Sequence, residues 1–379
     1  RMPWEMRTVE KQREAFVEAV SSGKKSIAAV CREFGISRKT GYKWIKRAAE
    51  GQRLCDQSRC PHRQPSKTAP EMEAAVLAVR AENPAWGGRT IRAVLEAAGC
   101  EKVPSAKTCG NILKRHGMIS QEESLKHTAF CRFEKEHCNQ MWQTDFKGDF
   151  LLGDGTRCYP LTILDDHSRF SIRIEPKSST IGVKESFIQA FEEYGLPDAI
   201  LSDNGSQFAG FRQGITQFER YLMDLDILPI HGRIRHPQTQ GKIERFHRTM
   251  KQEVLRQIPQ NLLEADRLFQ YWRWKYNEIR PHEALGHRPP ASVYHPSSRA
   301  LFEPRPYEYP VGAKLYKVNN WGYLRFGVFS IYLSETMANT YLEIRAGDTD
   351  TFRVCYRNFQ IAEIDANTGV RLNRNIKKL

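Results

Sequence analysis

At 379 residues, with a net charge of +14 at pH 7, the chain is long enough for two to four modules and strongly basic. No run of 18 apolar residues occurs, which excludes a helical membrane span, and nine cysteines without repeating spacing argue against a secreted disulfide scaffold. The opening RMPWEMR is polar and lacks a charged–apolar–small leader, so an unsecreted, cytoplasmic protein is expected.

Charge is distributed unevenly. Residues 1–138 carry 26 Lys and Arg against 16 Asp and Glu, residues 139–290 carry 20 against 20, and residues 291–379 carry 12 against 8. Basic modules around a neutral middle suit a polyanion such as nucleic acid, with mere solubility as the blander reading.

In chain order, residues 1–50 read as a helix–turn–helix domain. A short helix at about Ser26–Phe34 is followed by a turn at Gly35 and a second helix capped by Ser37. Ile27, Val30, Phe34, Ile36, Tyr42 and Ile45 are the expected core, leaving Arg38, Lys39, Lys43, Lys46 and Arg47 to meet DNA. Residues 51–70 have no periodicity and three prolines. They form an extended basic linker that either tracks a groove through Arg59 and Arg63 or merely spaces domains. Cys55, Cys60 and His62 hint at zinc, but no second ligand pair accompanies them.

Residues 71–118 repeat the theme. Two apolar-striped helices precede a Ser-capped third that bears Lys107, Lys114 and Arg115, a second helix–turn–helix, winged or not. Residues 119–138 form a polar connector. From residue 139 the texture changes to strand-like runs: MWQTDFKGDFLL, YPLTILDDHSRFSIRIEP and AILSDNGSQF. IGVKESFIQAFEEYG is an amphipathic helix ending at Gly195, and residues 261–277 form another with an aromatic face. Residues 139–290 thus read as an α/β core with a mixed five-stranded sheet. Residues 291–304 are a linker. Six short strand-like runs separated by turns make 305–379 a small β-barrel.

The middle domain holds three acids in distinctive places. Asp145 lies in the strand WQTDF, Asp203 ends the strand of ILSDNGSQF, and Glu244 opens the helix within HPQTQGKIERFHRTMKQE. Read as a helix, that segment sets Ile243, Phe246, Met250 and Val254 on an apolar stripe and Glu244, His247, Arg248 and Lys251 on another face. Taken alone, Glu244 is an ordinary partner for Arg248. Three neighbouring carboxylates, however, repel one another, and hard divalent cations remove that conflict.

WQTDF, LTILDDHSRF, LSDNGSQF and HPQTQGKIERFHRTMKQE together resemble the integrase-core transposases of bacterial insertion sequences. These are DDE recombinases, relatives of retroviral integrases. The resemblance implies a ribonuclease H-like core in which Asp145, Asp203 and Glu244 are both catalytic and metal-binding, holding two Mg²⁺ or Mn²⁺ ions. It also implies double-stranded DNA as partner, namely terminal inverted repeats and target, with a homo-oligomer assembled on it. The implied activity is 3′-end cleavage followed by strand transfer. Forty residues separate Asp203 from Glu244, more than is usual in the family, which leaves Glu219 as a competing third acid. Gln240, Lys242, His247, Arg248 and Lys251 are candidate phosphate contacts, and Asn204 a support for the Asp203 loop. Asp165 and Asp166 read as turn-capping or orienting groups, and His231 and His236 as groups that shape the loop before the helix. A silent-core DNA-binding regulator and a ribonuclease H-type nuclease are the competing classes.

Overall fold

The computed structural model describes residues 8–56, 68–119, 135–205, 207–208, 214–232, 241–255, 258–347, 350–373 and 376–379. It divides into two compact units, Arg1–Lys67 and Thr68–Leu379. Arg59, Arg63, Gln240 and His236 lie outside the described residues, as do most of the linker and of the connector.

In the first unit, α1 (Val9–Ser21), α2 (Ile27–Glu33) and α3 (Arg38–Ala49) close on one core of Phe16, Val30, Cys31, Trp44 and Leu54. Ser37 caps α3 as expected, its Oγ accepting from Thr40 N–H at 3.1 Å. Gly41 lets α3 lie against α2: a Cβ there would stand 2.6 Å from Cys31 Sγ. Trp44 takes the central place expected of Tyr42, which is 56% exposed, and Phe34 too lies at the surface. The correction has a simple cause. Tyr42 is one residue from the buried Gly41, so it points away along the outer face.

The second unit begins with α4 (Pro70–Glu82), α5 (Gly88–Ala97) and α6 (Ala106–Arg115), packed on Val76, Trp86, Ile91, Leu95 and Leu113. Ser105 caps α6, accepting from Thr108 N–H at 3.2 Å. No strand, and so no wing, occurs among the described residues of 68–119. Trp86 joins this module to the core: its Nε1 donates to Glu253 at 3.1 Å, and Glu253 also accepts from Trp272 Nε1 and Arg280 Nε.

The core sheet is mixed. β1 (Trp142–Phe146) runs antiparallel to β3 (Arg157–Asp165) and parallel to β5 (Ala199–Ser202), which runs parallel to β6 (Leu228–His231). β4 (Ser171–Lys177) pairs with β3, as does the two-residue β2 (Phe150–Leu151), beyond the stretch matched by β1. Side chains alternate across β3. Leu161 and Ile163 join Trp142 under α7 (Val183–Tyr194) and α8 (Gln217–Asp224), whereas Cys158 and Leu164 join α9 (Gly241–Glu253) and α10 (Leu262–Glu278). The sheet is thus covered on both faces, leaving strand ends as the place for polar chemistry.

All six expected carboxy-terminal strands form: β7 (Leu315–Lys317), β8 (Tyr323–Phe326), β9 (Phe329–Tyr332), β10 (Tyr341–Ala346), β11 (Thr351–Tyr356) and β12 (Phe359–Asp365). They are joined by β13 (Arg371–Asn373) and β14 (Lys377–Lys378). The pairing is an antiparallel sheet in the order β13–β12–β11–β10–β7, with β14 on β12, plus the ribbon β8–β9. The expected closed barrel is not what this pairing gives. The ribbon is linked to the end of β7 by the Val318–Leu324 bridge and by the edge-on contact of Tyr316 with Phe326.

Candidate active site

Asp145 is the fourth residue of β1, and Asp203 follows β5 directly. The parallel register pairs Trp142 with Ile200 and Gln143 with Leu201. Two further residues along both strands, it sets Asp203 beside Asp145, since adjacent strands run about 4.8 Å apart. Gly205 N–H donates to Asp203 Oδ1 at 2.9 Å, and Asn204 Nδ2 donates to the Gly232 carbonyl at 2.9 Å, tying the exit loop to the end of β6. α9 buries Ile243, Phe246 and Met250, the last two packed with Cys158, Leu164, Ile174 and α10, while Glu244 is exposed.

Electrostatics report the convergence. The Asp145 carboxyl is pushed up to about 7, first by burial, then by the negative charges of Asp203 and Glu244. Lys147 and the Phe146 N–H pull it the other way. Charges 58 and 99 positions away in sequence act on Asp145 because the fold brings them close. Lys147 is itself pushed down by burial and by Lys251, so two lysines stand near the acids. Among the described residues no three His, Cys, Asp or Glu side chains gather tightly enough to hold one ion. The donor set nonetheless fits a hard divalent cation: Mg²⁺ is held by one or two carboxylates and completes its shell with water and phosphate oxygens, so no three-carboxylate cage is needed.

The other expected contacts divide. Arg38, Lys39, Lys43 and Lys46 are exposed on α3, Lys107 and Lys114 on α6, and Arg248 and Lys251 on α9. Arg47 instead donates to the Cys55 carbonyl at 3.0 Å and lies over the Trp44 ring, and Arg115 pairs with Glu73 at 2.6 Å. His247 is a correction: it is 8% exposed, its Nε2 lying 2.7 Å from Thr162 Oγ1, so it lies under the helix rather than on its outer face. Lys242 is another, since its Nζ bonds the buried Asp166 at 2.5 Å. Asp166 also accepts from Gln143 Nε2 and Lys135 N–H, and Asp165 accepts from Asn139 and Ser168. Both are internal organisers, as read from sequence. Glu219 closes a capping box with Thr216 and lies 2.7 Å from His231 Nε2, so its carboxylate is already engaged. Lys147 and Thr162 went unnoticed in the sequence. Thr162 lies in LTILDDHSRF but reaches Asp145 only through the strand register, and Lys147 lies just beyond WQTDF with no pattern to mark it.

Integrase core domain models match residues 135–237 and 225–290. The chain carries an integrase core domain. A helix-turn-helix domain matches residues 12–59 and a homeodomain-like domain residues 40–113, so helical DNA-binding modules precede the integrase core. The similar proteins include insertion-element products. An uncharacterized protein of insertion element IS476 from Xanthomonas euvesicatoria is 32% identical over 40% of this chain and 43% of its own length. The chain therefore spans less than half of that relative. An uncharacterized protein of insertion element IS407 from Burkholderia multivorans is 25% identical over 59% of this chain and 82% of its own. The transposase InsD of insertion element IS2 from Escherichia coli is 26% identical over 55% and 73%. Among solved structures, the HTLV-2 integrase catalytic core domain in complex with magnesium aligns over 42% of this chain and 99% of its own, at 18% identity and a TM-score of 0.33.

Proposed function

We propose that the protein is a DDE transposase that cleaves 3′ ends at transposon termini and transfers them into target DNA. The observation that carries this is the push of the Asp203 and Glu244 charges on the buried Asp145 carboxyl, an arrangement with little structural use unless cations neutralise it. Two Mg²⁺ or Mn²⁺ ions, when bound, would supply positive charge to the attacking and leaving oxygens of an in-line displacement. The chain's own part is placement. Asp145 and Asp203 present carboxylates from adjacent strand ends, and Glu244 presents a third from the start of α9. Lys147 and Lys251 offer positive charge to the DNA phosphates beside them. Water attacks first and leaves a 3′-hydroxyl; that hydroxyl then attacks a target phosphodiester, so each step exchanges one P–O bond for another.

The helical modules of 1–50 and 71–118 would hold the terminal inverted repeats, with the carboxy-terminal strands of 305–379 as a further module. Two ends must be joined together, which calls for a homo-oligomer on DNA. A catalytically silent regulator would tolerate loss of an acid, yet all three remain. The test is incubation with end DNA, Mg²⁺ and a target plasmid, scored for joined products. Asp203→Asn should retain end binding and lower joining by at least about a thousandfold, roughly 4 kcal/mol of barrier. Undiminished joining would remove Asp203 from the site.

A further inference from the structure

Beneath α9, one turn past Glu244, runs a hydrogen-bond chain that the carboxylate chemistry does not itself require. Thr162 lies directly opposite Asp145 in the β1–β3 ladder. Its Oγ1 donates to the Asp145 carbonyl oxygen at 2.9 Å, a bond with only one direction because a carbonyl cannot donate. A hydroxyl has one proton, so the other contact of that oxygen, 2.7 Å to His247 Nε2, takes its proton from the imidazole. In the neutral imidazole this sets the proton on Nε2 and leaves Nδ1 as a lone pair. Nδ1 faces Asp145 Oδ2 at 3.8 Å.

We propose that His247 is a positioning residue for Asp145. Through Thr162 it anchors the Asp145 main chain, and its Nδ1 lone pair leaves the carboxylate unclaimed by any donor from that side. With the opposite tautomer, an N–H would face Oδ2 and compete with cations for it. The aspartate oxygens thus stay directed toward divalent cations, and the order of groups is His247 to Thr162 to Asp145. This inference rests on the metal-dependent reading of the site.

Nitrogen NMR of the full chain labelled at histidine, without metal, reads the tautomer directly. His247 should show a protonated Nε2 and an unprotonated Nδ1, and Thr162→Val should release that preference. Mn²⁺ binding to the complex with end DNA supplies the second measurement. Thr162→Val and His247→Phe, each verified as folded by thermal unfolding, should weaken Mn²⁺ binding about tenfold, the lower end for groups that orient a metal ligand. The double variant should lose no more than either single one, because both break the same chain. His247→Gln, whose amide both donates and accepts, should recover most of the affinity. A proton on Nδ1, or full Mn²⁺ affinity in both folded variants while Asp203→Asn weakens it, would overturn the positioning role alone. A wild-type chain that binds no Mn²⁺ would overturn the reading of the site and this inference together.

Discussion

Asp145 carries the chemistry of a conflict. Burial and two neighbouring carboxylates push its pKa up to about 7, far above the ordinary 3.8. The folded protein therefore keeps a proton there that the unfolded chain gives up. That contribution to stability is complete below about pH 4 and is lost as pH rises through about 7, and its size is on the order of a few kcal/mol. Asp145→Asn removes the titration. With EDTA present, the variant should become more stable relative to the wild type as pH rises from about 4 to 7, and Mg²⁺ should shrink the gap by stabilising the ionised wild type. A melting-temperature difference flat in pH would mean that the carboxylate is not under this strain. His247, pushed down to about 3 by burial and by Lys147, has the opposite sign: it opposes folding as pH falls through about 6.5. The difference between the two proteins cancels it, provided the substitution leaves His247 in place.

The elements were legible to different degrees, for physical reasons. Caps and periodicity are local, so Ser37, Ser105 and Gly195 mark helix ends where the sequence places them. β6, by contrast, is four residues long and contains Pro229, so its run LPIH carries no alternation to read. α8, eight residues, and β6, four, both lie between Asp203 and Glu244. The apolar stripe of α9 is broader than its aliphatic and aromatic residues suggest, which is why His247 reads as outward and lies inward. Its partner Thr162 is 85 residues away, and no local pattern signals such a pairing.

The same distinction between faces separates the basic residues of α3. Lys39 and Lys43 are exposed, Lys43 with its ammonium 4.7 Å from the Trp44 ring centroid, whereas Arg47 is half-buried and donates to the Cys55 carbonyl. Lys39→Ala and Lys43→Ala should each lower the salt slope of end binding by about 0.9 with little effect on unfolding, since each lost phosphate contact releases one counterion fewer. Arg47→Ala should instead cost about 1 kcal/mol of stability, through the lost hydrogen bond and ring contact. Titrating end DNA across salt concentrations, alongside thermal melts, distinguishes the two; an unchanged slope in both lysine variants would return that face of α3 to plain solvated surface.

Across the whole molecule, sequence pattern and fold agree on the order of parts: basic helical modules, an integrase core, then antiparallel strands. Charge distribution, readable from sequence alone, points to the same division. What the sequence could not supply is convergence, because the acids come from two strands and a helix spread over a hundred residues. Only register and helix packing bring Asp203 and Glu244 to Asp145. The most direct measurement is a structure of the full chain with end DNA and Mn²⁺, locating the ions by their anomalous signal. Two ions about 3.5–4 Å apart are expected, with the Asp145 carboxylate shared, Asp203 on one and Glu244 on the other. Ions absent from these carboxylates in a DNA-bound, joining-competent complex would contradict the account.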